Sequence, residues 1–115
     1  MRKKSSTNTL NKKNLEADCG MAYTMAILSG RWKLSILAFL IDGKLRYGEL
    51  KKKLPAISER MLITQLKELQ ADGLITRIAY PEIPPRVEYQ LTEKGATLKS
   101  ILIELEKWGE LHKEG

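Results

Sequence analysis

Two rhythms of apolar residues run along this chain. From residue 18 to about 72, and again from 92 to 112, they return every three or four positions, as on one face of a helix. Between 74 and 91 they alternate every second position, as on a strand. The first helical segment spans 18–29, with Asp18 as its cap, Met21, Met25 and Leu28 on one face, and Gly30 breaking it. A second spans 31–41 and is apolar on two sides: Trp32, Ile36, Phe39 and Leu40 form one stripe, and Leu34, Leu37 and Ile41 another. Such a helix belongs at the centre of a small core, with Trp32 as an anchor. Arg31 and Lys33 at its start can reach phosphates or stand in solvent. After a turn at Asp42-Gly43, residues 44–46 suit a minor strand.

A third helix begins at Tyr47, turns Tyr47, Leu50 and Leu54 inward and Lys51, Lys52 and Lys53 outward, and ends at Pro55. The fourth, 58–72, opens on Ser58 as cap and Glu59 in the first turn, and stops at Asp72-Gly73. Leu62, Leu66 and Leu69 form its apolar stripe; Arg60, Thr64 and Lys67 lie opposite, with Met61 and Glu68 beside them. Residues 74–80 and 86–91 read as two strands joined by the proline-rich tip 81–85. Thr92 caps a last helix, 92–112, whose seam of Leu98, Ile101, Leu105, Trp108 and His112 is heptad-like.

The order of these elements implies more than any one of them. Two short helices joined across a few residues form a helix-turn-helix unit, and a hairpin directly after it is a wing. The fold class is mainly α with a small β-hairpin: a winged helix-turn-helix. The last helix is long for so small a chain. One monomer core is too small to cover its stripe, so we expect a dimer through the N- and C-terminal helices, with Met21, Met25, Leu98, Ile101, Leu105, Trp108 and His112 in the interface.

Charge points to the partner. The 115 residues carry 20 Lys and Arg against 14 Asp and Glu, a net +6 that favours nucleic acid. The excess is concentrated: residues 1–13 hold Arg2, Lys3, Lys4, Lys12 and Lys13 with no acid, and 44–60 form a second basic block. We therefore divide the chain into a basic flexible arm, 1–17, and a DNA-binding domain, 18–115. The lysine triplet suits phosphates, and the Arg60–Thr64–Lys67 face suits a major groove. No apolar run spans a bilayer and no signal peptide opens the chain, so a cytoplasmic location without membrane contact is expected.

Little else in the sequence carries chemistry. One cysteine, Cys19, excludes an internal disulfide, and with the single His112 far off in sequence there is no basis for a metal cluster. No paired carboxylates, phosphate loop or nucleophile–base set is visible, so we expect neither an enzyme nor a cofactor. A winged-helix adaptor for protein or RNA, without an operator, is the competing reading. Its discriminating feature would be an apolar surface where this chain places Arg60, Thr64 and Lys67.

Five blocks carry a more specific likeness. These are Gly30-Arg31-Trp32-Lys33-Leu34, Arg46-Tyr47-Gly48-Glu49-Leu50, ISERMLITQLKELQADGL from Ile57 to Leu74, the segment from Tyr80 to Tyr89 (YPEIPPRVEY), and Leu91-Thr92-Glu93-Lys94-Gly95. In that order they resemble the HxlR-type winged helix-turn-helix transcriptional regulators, over about residues 19–112. The resemblance implies a homodimeric, sequence-specific regulator, repressor or activator, of an inverted-repeat operator in double-stranded DNA. It puts Ser58, Arg60, Met61 and Thr64 in the recognition block, Lys67 further along that face and Arg86 at the wing; Arg46 and Lys51, from the basic block 44–60, complete the DNA-binding candidates. A cysteine before the first helix is common in that family and in some members senses electrophiles, oxidants or aldehydes. Cys19 is thus a candidate sensor of a small electrophile. A helix N-terminus favours its thiolate, whereas Asp18 opposes it, and Gly20 stands where the family often has proline. With one cysteine, a redox switch requires an intersubunit disulfide or a mixed adduct. The alternative is a small residue packing the first helix.

Overall fold

A computed structural model describes residues 19–114; the expected arm over 1–17 and the Asp18 cap lie outside the described residues. The chain divides into two units, 1–30 and 31–115. In the first, α1 (Gly20–Leu28) starts from Cys19, which is extended and gives no side-chain cap. The helix ends where Ser29 N–H donates to the Met25 carbonyl and Gly30 takes φ 110°, a conformation open to glycine.

The second unit holds α2 (Lys33–Phe39), β1 (Leu45–Arg46), α3 (Tyr47–Lys53), α4 (Glu59–Ala71), β2 (Ile75–Tyr80), β3 (Arg86–Leu91), α5 (Glu93–Ala96) and α6 (Lys99–His112). The expected minor strand is present: β1 pairs with β3 at Leu45↔Tyr89, giving an antiparallel sheet in the order β1-β3-β2. The hairpin runs from Ile75↔Leu91 to Tyr80↔Arg86. Each α4 leucine of the expected stripe is buried, and Leu62, Leu66 and Leu69 belong to one core with Ile36 and Leu37 of α2, Leu40 just after it, Leu50 of α3 and Leu74. The side chains are short, branched and apolar, and their burial supplies about 1.5–3 kcal/mol each before chain entropy is subtracted.

Two elements differ from the sequence reading. The helix expected over 31–41 is α2 alone. Its last turn tightens into i→i+3 bonds, from Leu40 N–H to Leu37 and from Ile41 N–H to Ala38, and Gly43 at φ 141° reverses the chain. The helix expected over 92–112 is two helices. Thr92 caps α5 only, accepting from Gly95 N–H at 3.0 Å. Gly95 is pressed against the Leu74 carbonyl, and Lys94 Nζ donates to the Asp72 carbonyl at 2.9 Å. That anchors α5 to the joint between α4 and β2. Residues 97 and 98 then bond i→i+3, and α6 leaves from Leu98. Hydrophobic period does not reveal such a break, because the apolar seam starts only at Leu98 and α5 (EKGA) carries none of it.

Candidate nucleic-acid interface

The helix α4 is held from three sides. At its start, Ser58 Oγ accepts from Met61 N–H at 3.0 Å, satisfying one of the free donors of the first turn. Before it, α3 ends at Leu54 and a tight link brings Ile57 N–H to the Leu54 carbonyl. Behind it, Lys33 of α2 reaches Glu68 at 2.7 Å. Lys33 is only 8% exposed, which corrects the expectation that it reaches phosphates or solvent. An ammonium buried on an apolar helix needs a paired carboxylate, and Glu68 supplies one from the flank of α4. Trp32, expected as a core anchor, is half-buried beneath the Arg31 guanidinium, 4.4 Å from its ring centre.

With the leucine stripe turned in, Arg60, Met61, Thr64 and Lys67 are all exposed. Thr64 donates its hydroxyl to the Arg60 carbonyl at 3.0 Å, and Gln65 Nε2 donates to the Met61 sulfur at 3.4 Å. On α3, Lys52 and Lys53 are exposed and Lys51 is half-buried, while Lys53 Nζ lies 5.5 Å from the centre of the Phe39 ring. Arg46 precedes α3; its backbone N–H donates to Glu49 at 2.7 Å, so that acid serves the helix start.

The wing is stiffened by a cluster around Tyr80. Its hydroxyl donates to Glu88 at 3.0 Å and accepts from Lys44 at 3.3 Å. Arg86 stacks on its ring at 3.9 Å and faces Glu82 at 3.3 Å and Glu88 at 3.4 Å. Arg86, expected to face DNA from the wing, therefore stands at the tip end of the hairpin, directly after the 81–85 turn, with two carboxylates about it. Burial pushes the Glu88 carboxyl up, but the Tyr80 hydrogen bond and the Lys44 and Arg86 charges outweigh it, leaving the pKa below its ordinary value. The Tyr80 hydroxyl and then Glu88 raise that of Lys44.

Between α4 and the wing lies an open groove of ≈ 770 Å³, lined among others by Arg46, Ile63, Lys67, Gln70, Arg77 and Pro84. Tyr47 borders it with its hydroxyl shielded from water and in no hydrogen bond of ordinary geometry. Burial, and then the nearby Glu59 carboxylate, raise its pKa above 10. Arg77 and Ile63 were not singled out by sequence reasoning. The signal for Arg77 was present, since period two puts it on one face of β2 with Ile75 and Ala79, but only the fold turns that face to the groove.

The expected interface residues fall on two helices, each in its own unit. Met21 and Met25 are exposed on α1. On α6, Leu102 alone is buried, while Ile101, Leu105, Trp108 and Leu111 are exposed, Trp108 by 66%. Leu98 is half-buried at the start, and His112 stacks on Trp108 at 4.5 Å. Cys19 is a half-buried free thiol. Among the described residues no His, Cys, Asp and Glu gather as a metal site, and no helix is long and apolar enough to cross a membrane.

Comparison with known proteins agrees with this architecture. A family model, HxlR-like helix-turn-helix, matches residues 27–115. The HTH-type transcriptional regulator YybR of Bacillus subtilis (strain 168) is 41% identical over 106 residues, which cover 90% of this chain and 85% of that protein. The solved structure of the redox regulator HypR in its oxidized form superposes with a TM-score of 0.80 at 41% identity, covering 84% of this chain and 100% of that one. The reduced form of the transcriptional regulator YodB from B. subtilis gives a TM-score of 0.70 at 35% identity, over 84% of this chain and 95% of that one.

Proposed function

The chain belongs to the HxlR-like helix-turn-helix family of transcriptional regulators, and from that premise we propose that it acts as a homodimer reading an inverted-repeat operator in cytoplasmic DNA. The observation that carries the proposal is the exposed face of α4: Arg60, Thr64 and Lys67 stand clear of the core on a helix capped by Ser58 and buried along Leu62, Leu66 and Leu69. Such a face enters a major groove, with Ser58 and Met61 beside it at the leading end. Arg46, Lys51 and Arg77 line the approach and neutralise phosphates. Arg86 holds the wing and adds what charge its two carboxylates leave it.

Two copies joined through the exposed seam of α6, with Met21 and Met25 of α1 contributing, place the two recognition helices in successive grooves roughly 34–36 Å apart. Two structural relatives are a redox regulator and a regulator solved in a reduced form, which supports Cys19 as the responsive group. Its thiolate would be consumed by an electrophile, or by an oxidant that joins it to the partner copy or to a small thiol.

Footprinting and gel shift against the promoter beside its own gene test the reading. We expect a protected inverted repeat at nanomolar protein, weakening with salt. Arg60→Ala should cost about 1–3 kcal/mol on the operator and little on unrelated DNA if Arg60 reads a base. Binding that ignores sequence altogether would favour the adaptor reading instead.

A further inference from the structure

The recognition helix carries an isoleucine that stands outside the core. Ile63 lies in α4 next to buried Leu62, yet it is 43% exposed. At about 100° per residue it faces the wing side of the helix, where it lines the groove with Lys67, Gln70 and Arg77. Local stability does not ask for it. A β-branched residue is a poorer helix former than Lys, Gln or Glu, and its methyl groups gain nothing in water.

Its neighbours on the outward face are less polar than they look. Thr64 has spent its hydroxyl proton on the Arg60 carbonyl, leaving its methyl group and the oxygen's lone pairs for a ligand. Met61, 40% exposed on the other flank, offers a thioether already accepting from Gln65. Apolar groups thus lie between the cations Arg60 and Lys67, with Arg77 across the groove. Two acids also line this groove, Glu59 at its edge and Glu82, which is paired with Arg86 at 3.3 Å.

An apolar patch framed by cations fits a polyanion with one apolar feature. In the major groove the one sizeable feature of that kind is the C5-methyl of thymine; the other base edges present donors, acceptors and, on cytosine, only a small C5–H. Building on the DNA-reading proposal, we infer that Ile63 is a specificity residue that packs on a thymine methyl in each half-site. Arg60 and Lys67 hold the helix on the strand around it.

Deoxyuridine isolates the contact, because it removes the methyl and leaves every hydrogen-bonding group in place. The operator is first selected from a random duplex pool with the full chain. Its thymines are then replaced one at a time, and the affinity of each duplex is measured for the wild type, Ile63→Ala and Met61→Ala. At one thymine per half-site the wild type should lose roughly 3–5-fold, the worth of one buried methyl. Ile63→Ala should bind the thymine and uracil forms equally there, while Met61→Ala should keep the wild-type ratio. The inference is overturned if no thymine matters, if Ile63→Ala keeps the full ratio, or if Met61→Ala abolishes it. A pool that yields no enriched sequence overturns the DNA-reading proposal itself, and this inference with it.

Discussion

Gly95→Ala is the sharpest test of how the wing is joined to the recognition helix. A Cβ at this buried position would lie 2.1 Å from the Leu74 carbonyl oxygen and 3.1 Å from its carbon. Even a close C···O contact needs about 3.3 Å, so the backbones must part by about 1 Å. Neither side yields easily. Leu74 is buried, donates its N–H to the Leu69 carbonyl at 2.9 Å, and accepts from Thr92 N–H at 3.1 Å. Overpacking costs about 1–3 kcal/mol, and a rigid backbone acceptor puts this case near the top. Alanine's helix propensity returns about 1 kcal/mol, leaving a net loss of about 2 kcal/mol. At about 4–8 °C per kcal/mol for a domain near this size, the melting temperature falls by about 8–16 °C. Gly109→Ala is the matched control: it lies inside α6 with nothing within 4 Å of the new methyl group, so the same change should stabilise by about 0.5–1 kcal/mol. Both are read by thermal unfolding followed by circular dichroism at equal protein concentration, since a dimer melts in a concentration-dependent way. A Gly95→Ala protein melting within about 3 °C of wild type, or shifts of the same sign at both sites, would refute the packing argument.

Other expectations follow from single contacts. Ser58→Ala removes the cap of α4 and should cost about 1 kcal/mol in denaturant unfolding, with Ser58→Asp restoring most of it. Glu68→Ala strands the buried Lys33 and should cost about 1–2 kcal/mol, discounted because Glu68 is half exposed. Lys33→Met, which removes the charge itself, should stay within about 1 kcal/mol of wild type, and the reverse ranking would rule out this role for the pair. Glu88 has a depressed pKa, so its contribution to stability is present above its unfolded value near 4.5 and is lost as pH falls through the lower folded value. Urea midpoints measured from pH 6 down to 3 should therefore fall more steeply for wild type than for Glu88→Gln, and equal slopes would sink the claim.

What could be read from the chain, and what could not, follows the reach of each interaction. The α4 stripe, its Ser58 cap and the stop at Gly73 are local signals, and all three stand where the sequence puts them, Gly73 with φ 74°. The hairpin was legible for the same reason, since period two and a proline-rich tip need no distant partner. The Lys33–Glu68 pair was not, because its carboxylate lies on another helix and a lysine in an apolar run reads as a surface residue. The break after α5 was hidden too. It follows the close seat of Gly95 on the Leu74 carbonyl, a contact distant in sequence, and the apolar seam that marks the last helix begins only after it, at Leu98. At the wing, Arg86 read as a free cation because its partners Tyr80, Glu82 and Glu88 come together only once the strands pair. Ile63 was passed over as one more apolar residue of a helix whose stripe was already assigned.

The most direct measurement of the central claim is a specificity ratio. The selected operator and a scrambled duplex of equal length and composition are titrated with the full chain at several salt concentrations. We expect the operator to be preferred by at least about 10³ at physiological salt, with both affinities falling as salt rises. Equal affinity for the two duplexes at every salt concentration would contradict the assignment of α4 as a reader of DNA sequence.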